Sequence, residues 1–478
     1  MKIFFTASEC YPFAVSGGLG DVIGALPKSI ARSEREKNDV RVVIPLYKKT
    51  AEQFKSQMTF LFNFELSLSW RKVYCGVFEL KRDGVIYYFI DNEYYFKRDT
   101  FYGDFDDGER FSFFSKACLE ILPRLDFYPD IIHSHDWHTA LVTILFKRYY
   151  QWKSEFSKTK AIFTIHNIQY QGIYDKAILG DVFGLGEGDA GTVCFNGCIN
   201  LMKGAIVSAD KVNTVSPTYA RELTYPYYAH GLSAIIREYQ YKFCGILNGI
   251  DNDRVNPETN PNLYQNFNYR SPAKVAYNKR KLQEEMGFAV DDKIPIVAII
   301  SRLVSHKGLD LVKGVFNQLM ELPLQMVILG TGDREYEDFF RFAASGRKGK
   351  LEVRIAFDGA LADRIYGGAD IILMPSKSEP CGLVQMIALR YGTIPVVRET
   401  GGLKDTITDV KYGGNGFTFP NYNAHELLFT TGRAVDMFIN DKDAWKELKK
   451  RAMKCDFGWD KAAENYIDFY RDALGLKI

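Results

Sequence analysis

Short, nearly unbroken apolar runs alternate with helix-like stretches through the first half of the chain, and the same alternation then begins again. Residues 3–6, 40–44, 85–90, 131–133, 161–165 and 211–215 are rich in β-branched and aromatic side chains, as strands buried on both faces should be. Helical candidates at 21–33, 110–122 and 217–223 lie between them. After strand-like 243–247 the pattern resumes with 293–300, 325–329, 353–357 and 371–374, separated by helices from about 308 and near 361. A βαβα order of this kind builds parallel sheets, because each strand returns through a crossover helix. The sequence therefore predicts an α/β protein with two doubly wound domains, residues 1–245 and 246–455, followed by a helical tail, 456–478. Asn, Pro and Tyr cluster without periodicity at 257–272, which reads as the junction.

A chain of 478 residues is too long for one typical domain. Lys plus Arg number 61 against 59 Asp plus Glu, so nothing in the charge balance points to nucleic acid or an anionic membrane. No apolar stretch approaches the ~20 residues of a membrane helix, and the opening Met1-Lys2-Ile3-Phe4-Phe5-Thr6 reads as a first strand, not a signal peptide. Eight scattered cysteines without a Cys-x-x-Cys pair suit reduced thiols in a cytoplasmic protein. Aromatics at 14% suit carbohydrate-stacking surfaces as well as ordinary cores.

The segment 375–383, Pro-Ser-Lys-Ser-Glu-Pro-Cys-Gly-Leu, joins the strand at 371–374 to helical sequence. It holds Glu379 at the carboxyl end of a strand, where open α/β sheets bind ligands, and it leads into a helix start whose N–H groups favour an anion. Arg302 and Lys307, in Ser-Arg-Leu-Val-Ser-His-Lys-Gly (301–308), follow another strand and could neutralise a diphosphate as it departs. Ser16-Gly17-Gly18-Leu19-Gly20-Asp21 is echoed by Thr400-Gly401-Gly402-Leu403-Lys404-Asp405, and paired glycines before a helix let backbone approach a ligand. His133, His135, Asp136, Trp137 and His138, with His166 and Asn167 after the next strand, lack zinc-ligand spacing and suit hydrogen bonding and stacking against sugar hydroxyls. Gly-x-Ser-x-Gly and Walker signatures are absent, and Gly17, Gly18 and Gly20 have the wrong spacing for a dinucleotide fingerprint.

Taken in order, 16–22, 104–111, 133–138, 164–167, 214–220, 247–251, 301–308, 375–383 and 400–402 resemble the bacterial glycogen synthase and plant starch synthase family across essentially the whole chain. The resemblance implies two Rossmann-like domains facing across a cleft (GT-B). It also implies retaining transfer of glucose from ADP-glucose to the non-reducing end of an α-1,4-glucan (EC 2.4.1.21), with no cofactor and no metal. By it, Arg302 and Lys307 hold the diphosphate, Glu379 lies beside the donor glucose, and Ser376 belongs to the substrate-binding set. Cys381, Gly382 and Leu383 present backbone to its hydroxyls or phosphate, and Thr400 and Gly401 join the substrate-binding set. His166 sits at the reacting centre; Asp136, Asn167 and Asn248 bind hydroxyls; Gly17, Gly18 and Asp21 form the first glycine loop. Phe357 packs on adenine by stacking alone, and the tail helix crosses back to the first domain.

One departure stands out. The family's first loop usually reads Lys-Thr-Gly-Gly-Leu, whereas this chain has Val15-Ser16-Gly17-Gly18-Leu19. A missing cation beside a leaving diphosphate would cost about 1.5 to 3 kcal/mol, with glycine N–H groups left to compensate. Substrate binding is expected to close the cleft and exclude water. The competing readings are a catalytically weak glucan-binding homologue, suggested by Val15, and a related transferase using UDP-glucose.

Overall fold

A computed structural model describes residues 1–476. The chain divides into two compact units, Met1–Gly249 joined by the segment from Trp459, and Ile250–Gly458.

The strands of the first unit are β1 (Lys2–Thr6), β2 (Asp39–Pro45), β3 (Thr59–Leu68), β4 (Arg71–Arg82), β5 (Val85–Asp91), β6 (Ile131–His135) and β7 (Lys160–Ile165). A small three-stranded sheet, β8 (Ile173–Tyr174), β9 (Cys194–Phe195) and β10 (Cys198–Asn200), precedes β11 (Lys211–Thr214) and β12 (Phe243–Gly245). The large sheet runs β12-β11-β7-β6-β1-β2-β5-β4-β3. It is parallel from β12 to β5 and antiparallel beyond. The chain leaves β1 toward β2 on one side and later adds β6 on the other, so the switch point lies between β1 and β6. One face of this sheet buries Ile3, Phe5, Val42, Ile44 and Phe89 against Leu26 and Ile30 of the helix Gly18–Arg32 and Tyr466, Ile467 and Tyr470 of the terminal helix Trp459–Ala473. Each such side chain contributes roughly 1.5–3 kcal/mol on burial. Two tyrosines also fix that helix by polar contacts. The Tyr470 hydroxyl lies 2.8 Å from His133 Nδ1, and Asn213 Nδ2 donates to the Tyr466 hydroxyl at 3.2 Å.

The β3–β4 hairpin was not foreseen. Phe62, Phe64, Leu66 and Leu68 alternate with Asn63, Glu65 and Ser67, the pattern of a strand with one face in water, and not the continuous run of a strand covered on both sides.

The second unit carries β13 (Ile296–Ile300), β14 (Gln325–Leu329), β15 (Leu351–Arg354), β16 (Ile371–Met374), β17 (Ile394–Arg398) and β18 (Phe417–Phe419). All are parallel, in the order β15-β14-β13-β16-β17-β18. The switch point is therefore between β13 and β16. Two local expectations shift. The strand expected at 353–357 ends at Arg354, leaving Phe357 in the following loop. Residues 257–272 belong to this unit and are not the junction: Leu263 and Phe267 are buried, Asn260 Nδ2 donates to the Tyr391 hydroxyl at 2.7 Å, and Asn266 Nδ2 to the Asn260 carbonyl at 2.8 Å. Asparagine side chains satisfy the polar backbone that regular structure would otherwise satisfy.

Candidate active site

In the second unit the loops leaving β13 and β16 meet beside the switch point. The first ends in Lys307 and Gly308, whose φ of +73° and position, where an added Cβ would fall 2.0 Å from the Pro375 carbonyl oxygen, both require glycine. Lys377 N donates to the His306 carbonyl at 2.9 Å, which ties the two loops together. Across this contact Lys307 Nζ donates to both oxygens of Glu379, at 2.9 and 2.7 Å, and Ser376 Oγ donates to Oε2 at 2.9 Å. Glu379 is buried, and burial alone would raise its pKa. The Lys307 charge and hydrogen bonds, the Ser376 hydroxyl and His306 outweigh that and hold it below the ordinary carboxylate value. His306, desolvated and beside Lys307, is pushed down to about 4.

The remaining residues expected at this edge fall around the pair. Cys381 is buried, and Gly382, at φ +73°, precedes Leu383 and the helix Val384–Tyr391. Gln385 Nε2 donates to the carbonyls of Cys381 and Gly382, both at 3.0 Å. Thr400 and Gly401 open the helix after β17, and Gly402 N donates to the Glu379 carbonyl at 3.1 Å. Arg302 is exposed and has no carboxylate partner among the described residues. Phe357 is 97% exposed, an open ring face beyond β15. Arg398, which sequence reasoning did not single out, ends β17 and donates to the carbonyls of Ser376 and Lys377 at 3.3 and 2.8 Å, holding the Glu379 loop.

In the first unit, the loops after β1 and β6 flank the other switch point. Asp136 adopts φ +56° directly after β6, and its Oδ1 accepts from His166 N at 2.8 Å and Asn167 N at 3.4 Å. His166 Nε2 lies 2.9 Å from His135 Nδ1. Desolvation holds His166 at about 3, so this histidine pair is neutral. His135 Nε2, His138 Nδ1 and Asn248 Oδ1 are buried without hydrogen-bond partners among the described residues.

The glycine loop is arranged differently from expectation. Glu9, in the loop after β1, is buried; its Oε2 accepts from Ser16 N at 2.6 Å and Gly17 N at 3.0 Å, and its Oε1 from Ser16 Oγ and the Tyr102 hydroxyl, both at 2.7 Å. The first two N–H groups of the loop are therefore committed to an internal carboxylate and not free for an anion. Gly17 extends into the helix Gly18–Arg32, with Asp21 in its first turn, and an added Cβ at either Gly17 or Gly18 would meet open space. Val15 is 39% exposed and lies against the start of that helix. Sequence reasoning missed Glu9: it follows β1 as Glu379 follows β16, which places it at the sheet edge but not on the N–H groups of the glycine loop.

Burial raises the Asp136 carboxyl from 3.8 to about 7, only partly offset by the two backbone N–H donors. Its pKa is higher folded than unfolded, so its stabilising contribution is complete below about pH 4 and lost as pH rises through about 7. That difference corresponds to about 4 kcal/mol. Asp136→Asn is expected to gain stability relative to the parent as pH rises from 5 to 8, read from urea unfolding at each pH. A pH-independent difference would refute the assignment.

Among the described residues no group of three or more His, Cys, Asp or Glu is placed to hold a metal ion, and no helix is long and apolar enough to cross a membrane. Residues 2–238 match the starch synthase catalytic domain family and residues 282–454 the glycosyl transferases group 1 family. A glycogen synthase of Geobacillus thermodenitrificans (strain NG80-2) is 46% identical over 480 residues, 99% of this chain and 98% of that protein. One from Bacillus cereus (strain B4264) is 45% identical over 479 residues, covering 99% and 100%. Among solved structures, the catalytic domain of starch synthase IV from Arabidopsis thaliana bound to ADP and acarbose aligns with a TM-score of 0.91 at 32% identity, over 99% of both chains.

Proposed function

We infer the reaction from membership: the chain belongs to the bacterial glycogen synthase and plant starch synthase family, with the GT-B fold. It is a glycosyltransferase that moves glucose from ADP-glucose to the non-reducing end of an α-1,4-glucan with retention at the anomeric carbon. ADP-glucose is a substrate, and no cofactor is needed. We place the reaction in the cytoplasm.

The observation that best supports the catalytic assignment is buried Glu379 held by half-buried Lys307 and by Ser376 at the switch point of the second unit. In this proposal Arg302 and Lys307 counter the charge that develops on the departing diphosphate. Glu379 faces the donor sugar, and the Cys381-Gly382-Leu383 backbone supports its hydroxyls or phosphate. His166, Asp136, Asn167 and Asn248 address hydroxyl groups from the first unit; Phe357 stacks on the adenine. Both Glu379 oxygens already accept hydrogen bonds, which favours charge stabilisation over attack by that carboxylate. We therefore assign a same-face internal return, in which the leaving phosphate assists the incoming hydroxyl.

Purified protein incubated with ADP-glucose or UDP-glucose, with and without glycogen, tests this directly. Expected is glycogen-dependent ADP release with matching chain extension. UDP release at the greater rate would reassign the donor; glucan binding without turnover would make the chain a binding homologue.

A further inference from the structure

We propose that Trp70, at the tip of the β3–β4 hairpin, is a surface platform for a glucose ring of an α-1,4-glucan, separate from the residues assigned to catalysis; the identity of the ligand rests on the proposed reaction. Trp70 is 75% exposed, yet its ring is not loose. Its Nε1 donates to Asp181 Oδ1 at 2.7 Å, which fixes the ring's orientation and uses its only hydrogen-bond donor. The Arg71 guanidinium lies 4.6 Å from the ring centroid and supports it by a cation–π contact. That guanidinium is itself held: it donates to Asp181 Oδ1 and Oδ2 at 3.2 and 2.9 Å and to the Asp181 carbonyl at 3.1 Å, and it pairs with Glu109 at 3.4 Å.

An indole so oriented, backed by a cation and with its N–H occupied, offers solvent an apolar ring face. The C–H face of a pyranose suits that surface, and little ordering entropy remains to be lost on the protein side. The surroundings argue for a sugar over a protein partner. Along the hairpin Ser67, Ser69 and Lys72 are exposed, and Lys72 is paired with Glu65 at 3.2 Å, so the indole is bordered in the chain by polar side chains. One ring matches one glucose unit and falls far short of the ~800 Å² per partner of a standard protein interface.

The test uses full-length Trp70→Ala, an exposed position. In native gels containing glycogen, the apparent dissociation constant for glycogen is expected to rise about fivefold to tenfold, within the range for losing an aromatic anchor. KM for glycogen should rise in parallel. The turnover number, KM for ADP-glucose and the rate with maltotriose should not change. Arg71→Ala, which removes the support and keeps the ring, should fall between parent and Trp70→Ala. Unchanged glycogen retention in Trp70→Ala overturns the platform, as does failure of the parent to be retained. A change in oligomeric state on removing Trp70 would assign the ring to contact with a second copy and overturn it too. Retention measures binding without turnover, so a parent that binds glycogen through Trp70 but transfers no glucose would refute the reaction and leave the platform standing.

Discussion

Glu379→Gln is expected to lower turnover by about 10²- to 10³-fold, the range for removing one preorganised electrostatic group from a reacting centre. The Kd for ADP should change less than about threefold. Glutamine is isosteric and keeps an oxygen that can accept from Lys307 Nζ or Ser376 Oγ, the donors that lie 2.7 to 2.9 Å from the carboxylate in the parent. It lacks the negative charge, however, and a developing positive charge at the anomeric carbon is what that charge would stabilise. Initial rates with glycogen and calorimetric titration with ADP separate the two effects, and near-parental turnover would remove Glu379 from catalysis. The parent's pH dependence supplies an independent check. Because the Glu379 pKa is lowered on folding, its stabilising contribution is present above the ordinary carboxylate value near 4.5 and is lost as pH falls through the lower folded value. The glutamine variant should therefore lack that part of the parent's acid sensitivity.

How far the sequence could reach differs between the parallel cores and the loops. Continuous apolar runs identified the central strands, since β14 and β16 carry no residue that must face water. The amphipathic hairpin β3–β4 escaped because its signal is alternation, and it is there that Trp70 stands. The stretch at 257–272 looked like a linker because composition does not reveal that Asn260 and Asn266 fold it onto their own unit. Glu379 and Lys307 could each be named from their place after a strand, and Ser376 only through the family resemblance. Their mutual pairing could not, because it depends on Gly308 letting one loop lie against Pro375 of the other. Glu9 illustrates the same limit: a carboxylate close in sequence to a glycine loop gives no hint that it turns back and binds that loop's N–H groups.

Lys307 and Arg302 entered as a matched cationic pair, and the structure gives them unlike surroundings from which unlike consequences follow. Arg302 is exposed without a carboxylate partner among the described residues, so Arg302→Ala removes a charge and little packing. Its Kd for ADP is expected to rise about tenfold or more, since hydrogen bonds to charged groups contribute about 1.5 to 3 kcal/mol, with urea stability within about 0.5 kcal/mol of the parent. Lys307→Met instead leaves Glu379 buried with only the Ser376 hydroxyl, and removing one partner of a buried ion pair costs about 3 kcal/mol or more. With Lys307 gone, the largest influence lowering the Glu379 pKa is lost and burial pushes it up, so the variant should lose activity at a higher pH than the parent on acidification. Adding Glu379→Gln to Lys307→Met should recover stability, because the unpaired charge is then absent, without recovering turnover. Equal stability of Lys307→Met and the parent, with loss of ADP affinity alone, would show that Lys307 serves the diphosphate and not the carboxylate it contacts.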